Sequence, residues 1–161
     1  MPDLITHTAA AYFVMRPGKF ARFRVVFYVG TILPDILSRP FYILKPELYR
    51  YTIAIHTPVF IILFCFLFAE FFNREIRRDV RNFLLLGAAL HFFLDFFQRH
   101  LLTGYLWFFP FSWKSFEIGL YWPETPLYFV PLWVGIIFVI EGMNYFRHRR
   151  GFGKLPGLRG S

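Results

Sequence analysis

Residues 82–102 read NFLLLGAALHFFLDFFQRHLL. At 1.5 Å per residue, a helix of this length reaches about 30 Å, the thickness of a bilayer's hydrocarbon core. Its apolar run is interrupted by His91 and Asp95. A charged side chain at the centre of such a helix costs about 2.5–3.5 kcal/mol on insertion scales, so the pair calls for compensation from elsewhere in the chain. Spaced i, i+4, the two residues share one helix face, one turn apart.

The flanking sequence repeats the pattern. Residues 52–72 form a second apolar run, with His56 near its start and Glu70 near its end. Residues 125–146 form a third, with Glu141 near its far end. Each is long enough to be read as one membrane-crossing helix. Two shorter stretches precede them, residues 4–15 and 20–37, joined by Arg16-Pro17-Gly18-Lys19, whose Pro and Gly mark a turn. They are read as a short N-terminal helical hairpin. The sequence therefore predicts an all-α integral membrane helical bundle of about four to five helices. Residues 1–146 form one membrane-embedded domain, and residues 147–161 a basic, Gly-rich flexible tail.

Composition agrees. The 161 residues are 57% hydrophobic, 23% aromatic and 17% charged, with a mean hydropathy of +0.45. A soluble domain carries about 25% charged residues and fewer aromatics. So much apolar surface also excludes intrinsic disorder. The net charge of +8 would suggest nucleic acid in a soluble chain. Here the basic residues cluster between apolar runs, the pattern that encodes topology, and no nucleic-acid partner is expected. The single cysteine, Cys65, lies inside an apolar run, so no disulfide framework arises. The stretch from Met1 to His7 carries Asp3 and no basic start, and is not read as a cleavable signal.

If five helices alternate in direction, 13 of the 18 basic residues fall on one side: Arg16, Lys19, Arg22, Arg24, Arg74, Arg77, Arg78, Arg81, Arg147, Arg149, Arg150, Lys154 and Arg159. Arg39, Lys45, Arg50, Arg99 and Lys114 fall on the other. The positive-inside rule then puts the C-terminus in the cytoplasm. Residues 105–133, rich in Trp and Tyr and broken by Pro110, Pro123 and Pro126, read as an interfacial loop over the outer face, with membrane lipid as partner.

On this topology His7, Asp35, His56, His91 and Asp95, from four helices, fall in the same outer half. Three imidazoles and two carboxylates suit a divalent metal, zinc first, with manganese or iron as alternatives. A cation would supply the charge that buried Asp35 and Asp95 lack. One carboxylate, Asp95 ahead of Asp35, is the candidate catalytic base. Bland readings exist for each residue: a membrane histidine can be a hydrogen-bonded packing residue, Asp35 after Pro34 can cap a helix start, and His91 with Asp95 can be a simple pair. Arg50 and Thr57 are candidate substrate contacts at the mouth. His100 is read as interfacial, His148 as part of the basic tail, and Glu70 and Glu141 as reaching water at inner helix ends.

These residues carry a resemblance. Thr6-His7, Pro34-Asp35, His56-Thr57, His91-x-x-x-Asp95, Thr103-Gly104 and Pro110-Phe111-Ser112 resemble, in order, the pattern of the LexA-regulated, inner-membrane-associated, metal-dependent hydrolase family. Family members carry Arg-Gly shortly before the His-Thr pair; here Tyr51-Thr52-Ile53-Ala54-Ile55 stands there. The resemblance implies a helical fold similar to zinc-dependent phospholipase C and a hydrolytic activity. The combined expectation is a membrane-embedded hydrolase acting on a phosphoester of an amphiphile or lipid. Two other classes compete: a transporter or ion-pathway protein using the same His/Asp cluster, and a non-catalytic protein whose cluster only fixes helix packing.

Overall fold

The computed structural model describes residues 3–15, 18–99, 104–122 and 124–152, with the side chains of residues 3, 18–20, 50 and 148–152 left out of the description. The chain is all-α: α1 (Asp3–Val14), α2 (Arg24–Leu44), the one-turn α3 (Tyr49–Thr52), α4 (Pro58–Ala69), α5 (Arg74–Phe97) and α6 (Thr125–Phe152). Short 3-10 turns, Gly18–Phe23 and Pro46–Leu48, lead into α2 and α3. Among the described residues no strand forms; two isolated bridges, Gln98 with Tyr121 and Tyr105 with Phe116, organise the segment after α5.

Two helices are long and apolar enough to cross a membrane, Arg74–Phe97 and Thr125–Arg147. The run 52–72, expected as one helix, is divided. Thr57 is extended (φ −121°, ψ 149°) and Pro58 opens α4 as its first residue, because proline disfavours helical geometry in the residue before it. Helix α4 is consequently 12 residues long, about 18 Å. The hairpin α1–α2 is present, and α2 runs through Pro34 and Pro40 to Leu44. Asp35 is therefore mid-helix, which excludes the reading of it as a cap.

The chain divides into two compact units, Met1–Leu127 and Tyr128–Ser161. The second consists of most of α6, continuous to Phe152 and so through the first basic residues of the expected tail. The first unit holds α1 to α5. Its core is built on helical stripes: Ile61, Cys65 and Ala69 of α4, and Val80, Leu84, Gly87, Ala88, His91 and Asp95 of α5. The buried stripe of α2 is Phe27, Gly30, Thr31, Leu33, Pro34, Asp35 and Ser38. Each long stripe is apolar at one end and polar at the other.

Glycines set the α2–α5 approach. A Cβ on Gly30 would strike the Leu84 carbonyl, and one on Gly87 the Phe27 carbonyl. Small residues matter most among lipid-facing helices, where association relies on close packing and hydrogen bonds. Gly30 faces Leu84, Thr31 bonds His91 and Asp35 faces His91, so α2 and α5 run in the same direction. His7 faces Asp95 while Ala11 and Met15 pack beside Phe83 and Leu90, so α1 runs the opposite way. His56 faces Asp95 while Ile61 and Cys65 pack with Val80 and Leu84, so α4 is also antiparallel to α5. The register brings the polar ends of all four elements to one end of the unit.

Candidate metal centre

The five expected residues converge there. His7 comes from α1 and Asp35, next to Pro34, from the middle of α2. His56 sits in the turn before α4, and His91 and Asp95 share the inward face of α5. His7 and His91 are stacked, with ring centroids 4.2 Å apart. Asp95 is the hub. Its Oδ2 lies 2.9 Å from His56 Nε2 and 3.1 Å from His91 Nε2, and its Oδ1 3.4 Å from His7 Nε2. His56 Nε2 and His91 Nε2 are 3.2 Å apart. Asp35 Oδ1 stands 3.9 Å from both His91 Nε2 and His56 Nδ1.

The outer nitrogens fix the tautomers. His91 Nδ1 is 2.7 Å from the Thr31 carbonyl oxygen, which can only accept, so Nδ1 carries the proton. The Ser38 hydroxyl donates to the Pro34 carbonyl at 2.8 Å. Its one proton is thereby used, and its oxygen accepts from His56 Nδ1–H at 3.2 Å. With Nδ1 protonated, either imidazole in its neutral form turns an Nε2 lone pair toward the same carboxylate oxygen. Three acceptors within 3.2 Å of one another repel unless something positive lies among them. Two ligands at zinc–nitrogen distance in a tetrahedral arrangement are about 3.3 Å apart, close to the observed spacing. Protonated Nδ1 atoms held by a carbonyl and a hydroxyl are the outer partners that orient metal-binding imidazoles. Two groups, His7, Asp35 and His91, and His56, His91 and Asp95, each gather their ligand atoms within 4.8 Å.

Four participants escaped sequence reasoning. Arg39 places NH2 2.6 Å from Asp35 Oδ2. Ser38 and the Thr31 carbonyl hold the imidazoles. The signal was present: Ser38 and Arg39 are three and four residues after Asp35, on its face of α2. Tyr105 also joins, its ring 5.8 Å from that of His56. Of the weaker candidates, Thr57 is buried and donates to the Ala54 carbonyl at 2.8 Å, within the turn that presents His56. Arg50 lies in α3, with its side chain outside the description, as does that of His148; His100 and Thr103 lie outside the described residues. Glu70 pairs with Arg77 at 2.7 Å, beyond the opposite end of α4. Glu141 belongs to α6.

The model of the YdjM inner membrane protein family matches residues 3–155. The chain belongs to this family. It is the LexA-regulated inner-membrane family that the ordered dipeptides resemble, and the YdjM match spans α1 to α6 and so includes every residue of the cluster. The chain matches no curated protein and no solved structure.

Proposed function

We propose that this YdjM-family protein is a multi-pass, membrane-embedded, metal-dependent hydrolase that cleaves a phosphoester of an amphiphilic or lipid substrate. The observation that carries the reading is the meeting of two imidazole Nε2 atoms and a carboxylate oxygen at 2.9–3.2 Å, with both Nδ1 atoms committed to other partners. His7, His56, His91 and Asp95 would hold the ion, zinc by preference for this donor set, with manganese or iron compatible. When bound, the ion supplies Lewis acidity at a phosphoryl oxygen and makes water a better nucleophile.

Of the two carboxylates, Asp95 faces all three imidazoles, whereas Asp35 stands 3.9 Å off. We assign Asp95 to the ion and Asp35 to proton acceptance, reversing the preference drawn from sequence. Asp35 Oδ1 takes a proton from the attacking water as the new P–O bond forms. The ester P–O bond breaks, and the proton passes on to the leaving oxygen. The aromatic segment 104–122 is tied to the end of α5 by Ile118 N–H to the Phe96 carbonyl (3.1 Å) and Leu120 N–H to the Phe97 carbonyl (2.7 Å). Exposed Phe111, Trp113 and Trp122 suit the headgroup layer, which brings the centre within reach of a lipid phosphate. The arginine distribution favours a cytoplasmic C-terminus.

The test is bound metal in protein purified in detergent, with and without His91→Ala. Wild type should retain divalent metal and the variant lose most of it. Chelation should abolish hydrolysis of an aryl phosphodiester, and zinc should restore it. Equally little metal in both proteins would end the proposal.

A further inference from the structure

The charges at the centre are unequal in a way that restricts what it can take. Asp95 spends both oxygens on imidazoles. Asp35 spends Oδ2 on Arg39, whose guanidinium is charged at any working pH. With neutral imidazoles, two carboxylates and one guanidinium leave one net negative charge. One divalent ion converts this to one net positive charge. Two would leave three positive charges in a buried space, and burial penalises uncompensated charge heavily.

Access is equally restricted. The side chains of His7, Asp35, His91 and Asp95 are at most 4% exposed, while His56 is 11% and Arg39 19% exposed. These two are the most exposed of the six side chains. A guanidinium offers several N–H groups in one plane, a geometry matched to two oxygens on one phosphorus.

We propose that Arg39 is a specificity-determining residue that neutralises Asp35 and sets the centre to accept one divalent ion together with a singly charged phosphodiester. This rests on the metal-hydrolase reading above. A diester carries one negative charge and leaves the loaded centre neutral. A monoester dianion leaves it one charge in excess and is disfavoured.

The experiment uses the full chain in detergent, loaded with zinc, at about pH 8, where a phosphomonoester is a dianion because its second pKa is about 6. Metal per chain is counted by elemental analysis. Binding of dimethyl phosphate and of methyl phosphate is measured by calorimetry. One zinc per chain is expected, with dimethyl phosphate bound at least ~10-fold more tightly than methyl phosphate, as one uncompensated buried charge implies. Arg39→Gln should keep the zinc and weaken dimethyl phosphate by ~10-fold or more, and Arg39→Lys should restore part of the loss. Dihexanoyl phosphatidylglycerol, a diester with a lipid body, distinguishes the source: tighter binding than dimethyl phosphate identifies a headgroup, equal binding a small soluble diester. Two zinc ions per chain, a preference for the dianion, or unchanged binding in Arg39→Gln would overturn the proposal while leaving the metal centre standing. Should Arg39→Gln fail to fold, the charge preference of the wild type still decides. Absence of metal from the wild type would remove the underlying reading itself.

Discussion

At the scale of single residues, Ser38 does more than its size suggests. Its proton goes to the Pro34 carbonyl and its lone pair to His56 Nδ1–H, which keeps His56 Nε2 aimed at Asp95. Ser38→Ala removes that acceptor and frees the imidazole to flip or exchange tautomers. Metal affinity should fall by about 10- to 100-fold, the usual effect of losing an outer partner, as read by competition against a chelator; unchanged affinity would show that the turn alone holds the ring. The five ligand-type residues were legible in sequence because helix alternation puts all of them in one half of the protein, where two carboxylates call for a cation. Ser38 and Arg39 were not, because polar residues near the end of a short apolar segment look like its boundary. Only the continuation of α2 past two prolines places them beside Asp35.

At the scale of elements, the α2–α5 contact carries the centre. Gly30 and Gly87 bring the backbones together, and from that separation Thr31 reaches His91 at 2.7 Å. Gly87→Ala pushes a methyl group against the Phe27 carbonyl, in a place where neither backbone can yield cheaply. The expected cost is about 1–3 kcal/mol, seen as a lower melting temperature in detergent together with weaker metal binding. An unchanged melt would mean that the helices separate without loss. The spacing of His91 and Asp95 revealed the inward face of α5 correctly. The break before α4 was hidden, because residues 52–72 are apolar enough in sum to read as one span, and hydropathy does not register the extended residue that Pro58 imposes. That break shapes the site: from the turn, His56 presents Nδ1 to Ser38 and Nε2 to Asp95 at once.

At the scale of the whole molecule, the alternation assumed from the sequence is the alternation seen in α1, α2, α4 and α5. This is why arginine counting and helix direction gather the same polar residues at one end. The proposed orientation predicts accessibility in cells. Lys114→Cys should react with an impermeant maleimide in intact cells, and Arg77→Cys only after permeabilisation; the reverse pattern would turn the centre toward the cytoplasm. The sequence left the division after Leu127 unmarked, since 125–146 has the same hydropathy whether or not it belongs with the preceding helices.

The wide separation of the ligands along the chain has a consequence for how the protein is made. His7 leaves the ribosome first and Asp95 almost ninety positions later, so for most of synthesis the early polar side chains stand in the insertion machinery without the partners that neutralise them. The hub arrives last, on α5. On the proposed reading, ion capture waits for α5, and a nascent chain arrested before α5 emerges carries His7, Asp35 and His56 without their hub.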